Sequence, residues 1–325
     1  MTIAVIGAGM AGAACASALK KQGHTVTVFD KGRSAGGRMS SKRAERGYLD
    51  LGAQYFTARN EAFAAQCHTW LDTGSIAHWE GRLAIYDAGT VSASPDDTER
   101  YIGVPAMQAP VVQLLDNLKL QSGVQIDQLQ FDGTHWLLFS AGSCVGSFSQ
   151  LVLAIPQQQA QHLLQPFVPS HTELAGLFTA TALLPCWAVN IRLEHPLWPY
   201  DGIFVKNDAR IGWLARQSSK PGRYDTENWL LHFTPEYSQQ HIDASTTDIE
   251  QQALLTLQEL AGQDLAGTVS HCHLWRYAQQ QADYPVTVAL YLPQLALGLA
   301  GDWLNGGRIE NAWLSGVQLA RDLRS

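Results

Sequence analysis

The first thirty residues constrain the fold of this chain more than any other segment. Residues 3–6 are a short apolar run that suits one buried parallel strand. Residues 13–21 are rich in Ala and Leu and predict a closely packed helix, and residues 25–29 predict a β-branched second strand that ends on Asp30. Between the first strand and the helix lies a turn that matches G-x-G-x-x-G, Gly7-Ala8-Gly9-Met10-Ala11-Gly12. This order predicts a βαβ unit that binds a dinucleotide.

Each position in this unit has a physical task. Gly7 permits the tight turn, Gly9 lets a pyrophosphate approach the backbone, and Gly12 lets the helix pack closely on the strand. The helix N-terminus offers free N–H groups and positive partial charge to the phosphates. Asp30 lies about 20 residues further on, where an acid accepts hydrogen bonds from ribose hydroxyls.

Composition narrows the remaining possibilities. The 325 residues are enough for one large or two ordinary domains, with 46% hydrophobic residues, only 16% charged residues and ten tryptophans. The net charge of −7 argues against a nucleic-acid binder. No run of about 20 apolar residues predicts a membrane span, and the N-terminus carries no basic segment typical of a secretory signal. We therefore expect a cytoplasmic protein with no obligatory protein partner.

The five cysteines are scattered along the chain and form no C-x-x-C pair. This spacing supports neither a zinc site nor a disulfide framework, so we predict no metal and buried free thiols.

A second cluster of glycine and arginine follows Asp30. Lys31 opens it, Gly36 and Gly37 permit a tight backbone course, and Arg38 could pair with a phosphate through its planar guanidinium. A simple nicotinamide-binding unit does not need this cluster. Residues 48–56 then place Gly52 among polar and aromatic groups, which suits a turn beneath a flat ring system.

The middle of the chain predicts a second domain. Helices are expected at 61–73 and 104–119, short strands within 77–91, a hairpin at 131–140, and a strand at 151–156 that returns to the parallel sheet. Further strands are expected at 186–193, 202–206, 211–216 and 229–234, followed by a helix that begins at the capping box Thr247-x-x-Glu250 and runs to Leu260. Successive strands with one helix indicate an antiparallel sheet.

The C-terminal segment predicts a second contact with the same ligand. Residues 295–300 predict an apolar strand, Gly301-Asp302-Trp303 follows, and a helix runs towards the terminus. Asp302 could bind a ribityl hydroxyl or a phosphate-bound water, and the helix N–H groups could hold a flavin carbonyl. The two ends of the chain are thus expected to build one nucleotide site.

These motifs carry a resemblance to a known family. The glycine motif, Gly36-Gly37-Arg38, residues 151–156 and Gly301-Asp302 recur in this order in flavoproteins of the amine-oxidase and glutathione-reductase-like superfamily. Within it, the chain resembles the bacterial renalases through residues 29–31, 37–43, 52–59, 94–96, 213–216, 219–221, 301–303 and 312–316.

The resemblance implies an α/β fold, with a Rossmann-like FAD-binding domain interrupted by an inserted α+β substrate domain built on an antiparallel sheet. We place the FAD-binding domain at 1–60, 100–160 and 287–325, and the substrate domain at 61–99 and 161–286. It also implies noncovalent FAD and oxidation of the 2- and 6-dihydro isomers of NAD(P)H, with electrons passed to O2. The cofactor-binding residues so expected are Gly7, Ala8, Gly9, Met10, Ala11, Gly12, Asp30, Lys31, Gly36, Gly37, Arg38, Met39, Gly52, Ala53, Gln54, Gly301, Asp302, Trp303, Glu310 and Ala312. Asn311 departs from the family pattern, which has glycine there; Asn tolerates positive φ, so we expect the turn to survive.

Oxidation of a dihydropyridine needs no general base, because hydride transfer alone restores the aromatic pyridinium. The protein has only to orient the ring. The candidates for that task are Gln54, Tyr55, Trp213, Trp229, His232, Trp275 and Trp303, with Arg216, Lys220 and Arg223 as candidates for the substrate phosphates.

Three other functions stay open on the sequence alone. An amine oxidase would need an aromatic cage and often a lysine near the flavin. A nonredox flavoprotein would use FAD structurally. An NAD(P)-dependent dehydrogenase would be colourless when purified, whereas the second glycine cluster and the Gly301-Asp302 end predict a yellow protein.

Overall fold

The structure, a computed structural model, describes residues 1–44, 47–171, 174, 178, 183–223, 227–280 and 287–323. Its helices are α1 (Met10–Lys21), α2 (Glu61–Asp72), α3 (Ala109–Leu114), α4 (Gln157–Leu164), α5 (Pro235–Gln240), α6 (Thr246–Ala261) and α7 (Ile309–Asp322). Its strands are β1 (Thr2–Ile6), β2 (Thr25–Asp30), β3 (Ser41–Ala44), β4 (Gly47–Asp50), β5 (Ile76–His78), β6 (Leu83–Asp87), β7 (Thr90–Ala93), β8 (Tyr101–Gly103), β9 (Lys119–Ser122), β10 (Gln128–Phe131), β11 (Trp136–Ser140), β12 (Ser143–Phe148), β13 (Gln150–Leu153), β14 (Leu184–Leu193), β15 (Gly202–Lys206), β16 (Ile211–Arg216), β17 (Asn228–Phe233), β18 (Gly267–Gln279), β19 (Leu290–Leu292) and β20 (Leu297–Leu299).

A six-stranded sheet holds the first βαβ unit. Its strand order is β19-β20-β13-β1-β2-β9, and every neighbouring pair is parallel except β19 with β20. Strand β1 lies between β13 and β2, and its apolar residues are buried on both faces, as a near-continuous apolar run predicts. The Rossmann-like part of the expected fold is present, and the strand expected at 151–156 does return to this sheet as β13.

Helices α1 and α7 pack against each other beside this sheet. A Cβ atom at Gly316 of α7 would lie 2.1 Å from the carbonyl oxygen of Ala11 in α1, so only glycine allows this approach. The close contact brings the C-terminal helix onto the first helix. The two ends of the chain therefore meet at one place.

A seven-stranded sheet forms the second large element, in the order β18-β14-β17-β16-β15-β6-β7. Its neighbouring strands are antiparallel except β15 with β6, which are parallel. One face packs under α6 through a core that contains Trp229 and Leu231. On the opposite face the register aligns Trp213, His232, Ala188 and His273 across four strands.

The strands of the two large sheets come from different parts of the chain. Those of the six-stranded sheet lie within 1–60, 100–160 and 287–325, and those of the seven-stranded sheet lie within 61–99 and 161–286. Strands β5 and β8 pair across the expected boundary near residue 100. The division into two domains stays a prediction.

Local structure corrects three sequence expectations. The helix expected at 104–119 is shorter in the structure, where it is α3. Its start is set by Pro110, which lies in the first turn, where a missing N–H costs nothing. Asn117 adopts φ 60° soon after the helix ends. Helix α6 is capped by Ser245, whose side chain accepts from the N–H of Asp248, rather than by Thr247. Of the five free thiols, Cys144 is exposed rather than buried.

The hairpin expected at 131–140 is confirmed by the antiparallel pairing of β10 with β11. In the described part of the chain, no helix combines the length and apolar character needed to cross a membrane.

Candidate functional site

A cavity of about 1580 Å³ lies between the carboxyl ends of the parallel strands and the open face of the seven-stranded sheet. This is the position at which open α/β sheets bind ligands. It is lined by sixteen of the expected cofactor residues: Gly7, Gly9, Met10, Ala11, Asp30, Lys31, Gly36, Gly37, Arg38, Met39, Gly52, Ala53, Gly301, Asp302, Trp303 and Ala312. Three of the expected substrate-orienting residues line it as well: Trp303, which is also one of those sixteen, His232 and Trp275.

The glycine turn has the geometry expected from its spacing. Gly7 has φ 108°, and a Cβ there would lie 2.3 Å from the carbonyl oxygen of Ala154. A Cβ at Gly12 would lie 1.9 Å from the carbonyl oxygen of Gly7. By contrast, a Cβ at Gly9 would meet no protein atom within 4 Å, although Gly9 lines the cavity. Space is therefore left at the one glycine that should face a pyrophosphate.

Helix α1 begins at this turn without a side-chain cap. Its first N–H groups have no intrahelical acceptor, and Met10 and Ala11 line the cavity. An uncapped helix N-terminus that opens into a cavity suits an anionic group such as a phosphate.

Asp30 ends β2 at the cavity, where its carboxylate also fixes the backbone. One oxygen accepts from the N–H of Ala8 at 2.7 Å and the other from the N–H of Gly32 at 2.6 Å. A carboxylate can accept further hydrogen bonds on each oxygen. Asp30 can thus hold the turn and a ribose hydroxyl at the same time.

Arg38 and Asp302 form an ion pair across the cavity. Arg38 also donates to the carbonyl oxygen of Ala278 at 2.9 Å. The pair joins the second glycine cluster to the segment after β20. Helix α7 begins nearby at Ile309, and the residue before it, Arg308, provides no side-chain cap.

The turn formed by Leu51, Gly52 and Ala53, here called the 51–53 turn, is held by the seven-stranded sheet and by the second glycine cluster. The carbonyl oxygen of Leu51 accepts from Nε2 of His232 at 2.8 Å and from Nε1 of Trp275 at 3.0 Å. The N–H of Ala53 donates to the carbonyl oxygen of Arg38 at 3.0 Å. A Cβ at Gly52 would lie 2.0 Å from that same oxygen, so glycine is required there. This turn is the element expected beneath a flat ring.

His232 is a neutral group in this setting. Desolvation of its ring lowers its pKa to about 4, although the hydrogen bond to Leu51 opposes the shift. Since a carbonyl oxygen can only accept, Nε2 carries the hydrogen. At neutral pH His232 therefore orients the 51–53 turn and bears no charge.

Four expected cofactor residues lie outside the cavity lining. Ala8 and Gly12 belong to the turn and the helix behind it. Gln54 is buried and donates to the carbonyl oxygens of Asp50 and Gly52. Glu310 accepts from the N–H groups of Arg59 and Asn60 at 2.7 and 2.6 Å, so its carboxylate fastens that loop to α7.

Three expected substrate-orienting aromatic residues also lie elsewhere. Tyr55 and Trp213 contact each other, and Tyr55 also contacts Trp79, in a cluster away from the cavity lining. Trp229 is fully buried on the α6 side of the sheet and donates to Glu227 at 2.7 Å. Trp229 is therefore a core residue, because the alternation of β17 turns it away from His232.

The cations expected at substrate phosphates are already paired. Arg216 forms an ion pair with Asp201, and Lys220 lies 3.1 Å from Asp50 with no exposed side-chain surface. Arg223 also binds Asp50. None of the three lines the cavity, so this arrangement gives them no contact with a phosphate inside it.

Strand β18 supplies residues that the sequence analysis missed. His273, Arg276 and Tyr277 line the cavity beside Trp275, and Arg308 lines it from the start of α7. The spacing of two between His271, His273 and Trp275 is typical of one face of a strand, and this signal could have found β18.

Asn311 does not need a left-handed backbone. It is the third residue of α7, so the glycine of the family pattern is replaced inside a helix. No group of three or more His, Cys, Asp or Glu residues within the described ranges could hold a metal ion.

The cavity fits a flavin dinucleotide. The open space at Gly9, the uncapped start of α1 and Asp30 suit its adenosine diphosphate part. The uncapped start of α7 and the 51–53 turn suit a polar ring system.

The fold and this cavity define a dinucleotide-binding α/β protein, and family comparison makes the assignment specific. Residues 5–67 match an NAD(P)-binding Rossmann-like domain, and residues 93–324 match the flavin containing amine oxidoreductases. The chain belongs to the flavin containing amine oxidoreductase family. FAD is its cofactor, and it is an FAD-dependent oxidoreductase.

Solved structures share this fold over the whole chain at low sequence identity. A candidate protoporphyrinogen oxidase from Exiguobacterium sp. 255-15 has a TM-score of 0.77 at 12% identity, covering 99% of this chain and 98% of that one. Cyclohexylamine oxidase from Brevibacterium oxydans IH-35A has a TM-score of 0.75 at 14% identity, with coverage of 99% and 98%. At these identities the likeness concerns the fold alone.

A curated relative matches only a short segment. The 4,4'-diapophytoene desaturase (4,4'-diaponeurosporene-forming) of Staphylococcus aureus (strain Newman) is 46% identical over 52 residues. That segment is 16% of this chain and 10% of the desaturase.

Proposed function

We propose that this protein is a renalase-like FAD-dependent oxidase that takes hydride from misreduced nicotinamide dinucleotides, the 2- and 6-dihydro isomers of NAD(P)H. The products are NAD(P)⁺ and, with O2 as electron acceptor, H2O2. Bound FAD supplies the hydride acceptor and passes the electron pair to O2. The residues of this chain have to bind and orient the donor and exclude competing chemistry.

The composition of the sheet-side wall carries this proposal. It presents His232, His273, Trp275 and Tyr277, with the exposed cations Arg276 and Arg308 at the same cavity. Among the described residues, neither arginine forms an ion pair. Aromatic rings can stack on a dihydropyridine, and free guanidinium groups can bind a diphosphate.

The acidic residues of the cavity lie on its other side. Asp30 ends β2 and Asp302 follows β20, both strands of the six-stranded sheet. Asp127 lies just before β10 and accepts from the N–H of Ala141. The described residues of the sheet-side wall therefore include no carboxylate that could attract a cationic amine. The two arginines would repel one.

The proposed donor needs no base, and His232 is not placed to act as one through its hydrogen-bonded nitrogen. His232 has its Nε2 hydrogen bonded to Leu51 and is neutral, and it is not free to take a proton through that nitrogen. The only fully buried lysine of the described chain in this region, Lys220, lies outside the cavity lining. This arrangement fits an amine oxidase that uses a lysine beside the flavin less well.

The size of the cavity supports a second ligand beside the cofactor. Pockets for a single drug-sized ligand measure about 300–1,000 Å³, and this cavity measures about 1580 Å³. The proposal needs FAD and the dinucleotide substrate to share this space.

The deciding experiment is anaerobic mixing of the yellow holoprotein with the 2-, 4- and 6-dihydro isomers of NAD(P)H and with small amines, followed by flavin absorbance. We expect the 2- and 6-dihydro isomers to bleach the flavin and the amines to leave it oxidised. Bleaching by amines alone would establish an amine oxidase, and no bleaching by any donor would indicate a nonredox flavoprotein.

The variant Arg276→Ala tests which residues bind the substrate phosphates. Loss of one charge-assisted contact to the diphosphate should raise KM about tenfold, or about 1.4 kcal/mol. The same dihydro ring as a riboside without phosphate should show no change. Lys206→Ala is the matched control, since it removes an exposed cation that does not line the cavity. An equal rise in KM for the riboside would assign Arg276 to the ring rather than to the phosphates.

A further inference from the structure

A buried cluster of charged side chains lies directly behind the 51–53 turn. Asp50, Lys220 and Arg223 have no exposed side-chain surface. Nζ of Lys220 is 3.1 Å from one oxygen of Asp50, and Nη2 of Arg223 is 3.0 and 2.8 Å from its two oxygens. We call these three residues the Asp50 cluster.

The other partners of the cluster are neutral. Lys220 donates to Oε1 of Gln54 at 2.8 Å, and Arg223 donates to the carbonyl oxygens of Gly103 and Pro105 at 2.8 and 2.9 Å. Ser41 donates to Asp50 at 2.6 Å. Within the described residues, two cations thus share one carboxylate.

The ionisation states leave the cluster with one excess positive charge at neutral pH. Burial acts to raise the pKa of Asp50, but Lys220 and Arg223 hold it below its usual value. Burial lowers the pKa of Lys220 to about 8, against the attraction of Asp50. Arginine stays charged throughout. Asp50 is therefore an anion, and both Lys220 and Arg223 are cations.

An excess charge in a protein interior is unfavourable unless an opposite charge lies near it. The cluster is connected to the cavity by two hydrogen bonds. Lys220 donates to Gln54, and Nε2 of Gln54 donates to the carbonyl oxygen of Gly52 at 2.8 Å, in the turn that lines the cavity. The positive charge is thus buried next to the place where a polar ring system fits.

We propose that the Asp50 cluster is an electrostatic element that favours the reduced, anionic form of the bound flavin over the oxidised, neutral form, and so raises its reduction potential. Reduction adds an electron pair to the ring system, and a fixed positive charge in a low-dielectric setting stabilises the negative charge that results. The ion pair of Arg38 with Asp302 is neutral overall and cannot do this. The inference does not depend on which substrate donates hydride, so it extends beyond the proposed function.

The test is the reduction potential of FAD bound to the holoprotein, measured against a reference dye. Lys220→Met and Arg223→Met each leave one cation beside Asp50, which makes the cluster neutral and should let the protein fold. Each should lower the ratio of reduced to oxidised flavin at a fixed potential at least tenfold, about 30 mV for a two-electron couple. Lys220→Arg keeps the charge and should keep the potential.

The control for a general loss of charge is Arg210→Met. Arg210 is paired with Asp208 and Glu259, remote from the cavity lining, and the substitution removes the same formal charge. It should leave the potential unchanged. FAD content and thermal unfolding are measured on every variant.

A purely structural role predicts a different pattern. Lys220 and Arg223 bind different neutral groups, so packing losses at the two positions need not change the potential alike. The proposal is overturned if both Met variants retain FAD at the original reduction potential. It is also overturned if the potential of Lys220→Arg falls as far as that of Lys220→Met. Loss of FAD from both Met variants would show that the cluster has a structural role, and this result would also overturn the proposal. If one variant fails to fold, the other and Lys220→Arg decide the matter.

Discussion

The two walls of the cavity recognise their ligand in different ways. The wall from the six-stranded sheet presents backbone: glycines, uncapped helix N-termini and a turn fixed by Asp30. The wall from the seven-stranded sheet presents side chains such as His232 and Trp275 that come from separate strands. Recognition by backbone groups requires the ligand to approach the main chain closely. Recognition by side chains depends on the strand register, which sets the side chains that face the cavity. Variants should therefore fail in different ways on the two sides.

The largest effect is expected on the backbone side, at Gly12. Gly12→Ala places a Cβ 1.9 Å from the carbonyl oxygen of Gly7, where the helix and strand cannot separate easily. We expect the free energy of unfolding of the apoprotein to fall by at least about 3 kcal/mol. Denaturant unfolding without FAD measures it.

Gly9→Ala is the matched variant, because its Cβ meets no protein atom within 4 Å. The apoprotein should unfold as the unchanged protein does, within about 0.5 kcal/mol, while FAD affinity falls. Equal destabilisation by both substitutions would contradict the assignment of Gly9 to the ligand and Gly12 to packing.

On the side-chain wall, His232 should make stability depend on pH. Its folded pKa of about 4 lies below the ordinary value of 6.5, so the unfolded chain binds the proton first as the pH falls. This contribution is complete above about pH 6.5 and is lost as the pH falls towards 4, with about 2 kcal/mol lost between pH 6.5 and 4.5.

His232→Gln keeps a donor for the carbonyl oxygen of Leu51 but does not titrate. The difference in unfolding free energy between this variant and the unchanged protein should therefore vary with pH by that amount. Parallel pH curves for the two proteins would show that His232 is not the titrating group.

The smallest effect separates two tryptophans of the same sheet. Trp229→Phe should cost about 1 kcal/mol of stability through the lost hydrogen bond to Glu227, with the flavin spectrum and substrate KM unchanged. Trp275 lines the cavity, and Trp275→Phe removes its hydrogen bond to Leu51, so this substitution should alter both the flavin spectrum and the substrate KM. A change in KM for Trp229→Phe would contradict its place in the core.

The nucleotide half of the site could be predicted from the sequence because that half follows local rules. The spacing of Gly7, Gly9 and Gly12, the acid at Asp30 and the apolar runs around them each act within a few residues or one βαβ unit. The substrate side was predicted less well. Trp229 and Trp275 have the same residue type, but one is core and the other lines the cavity, and only strand register separates them.

The cations show the same limit to prediction from the sequence. Lys220 and Arg216 look like solvent-exposed phosphate ligands in a Pro- and Gly-containing loop, yet both are paired with distant carboxylates in the folded chain. Arg276, which does line the cavity, lies in a strand with no phosphate-binding pattern, and Arg308 follows Gly306 and Gly307 at the start of α7 but was not among the expected phosphate ligands.

The amino-acid sequence was enough to predict the βαβ unit, the family and the cofactor, because a glycine turn and its flanking strands are specified by short-range sterics and hydrophobic burial. Which side chains reach the cavity and which cations are paired became clear only in the folded chain. The contact of Asp50 with Lys220 joins residues 170 positions apart, and a long-range electrostatic pairing leaves no periodic trace in the sequence.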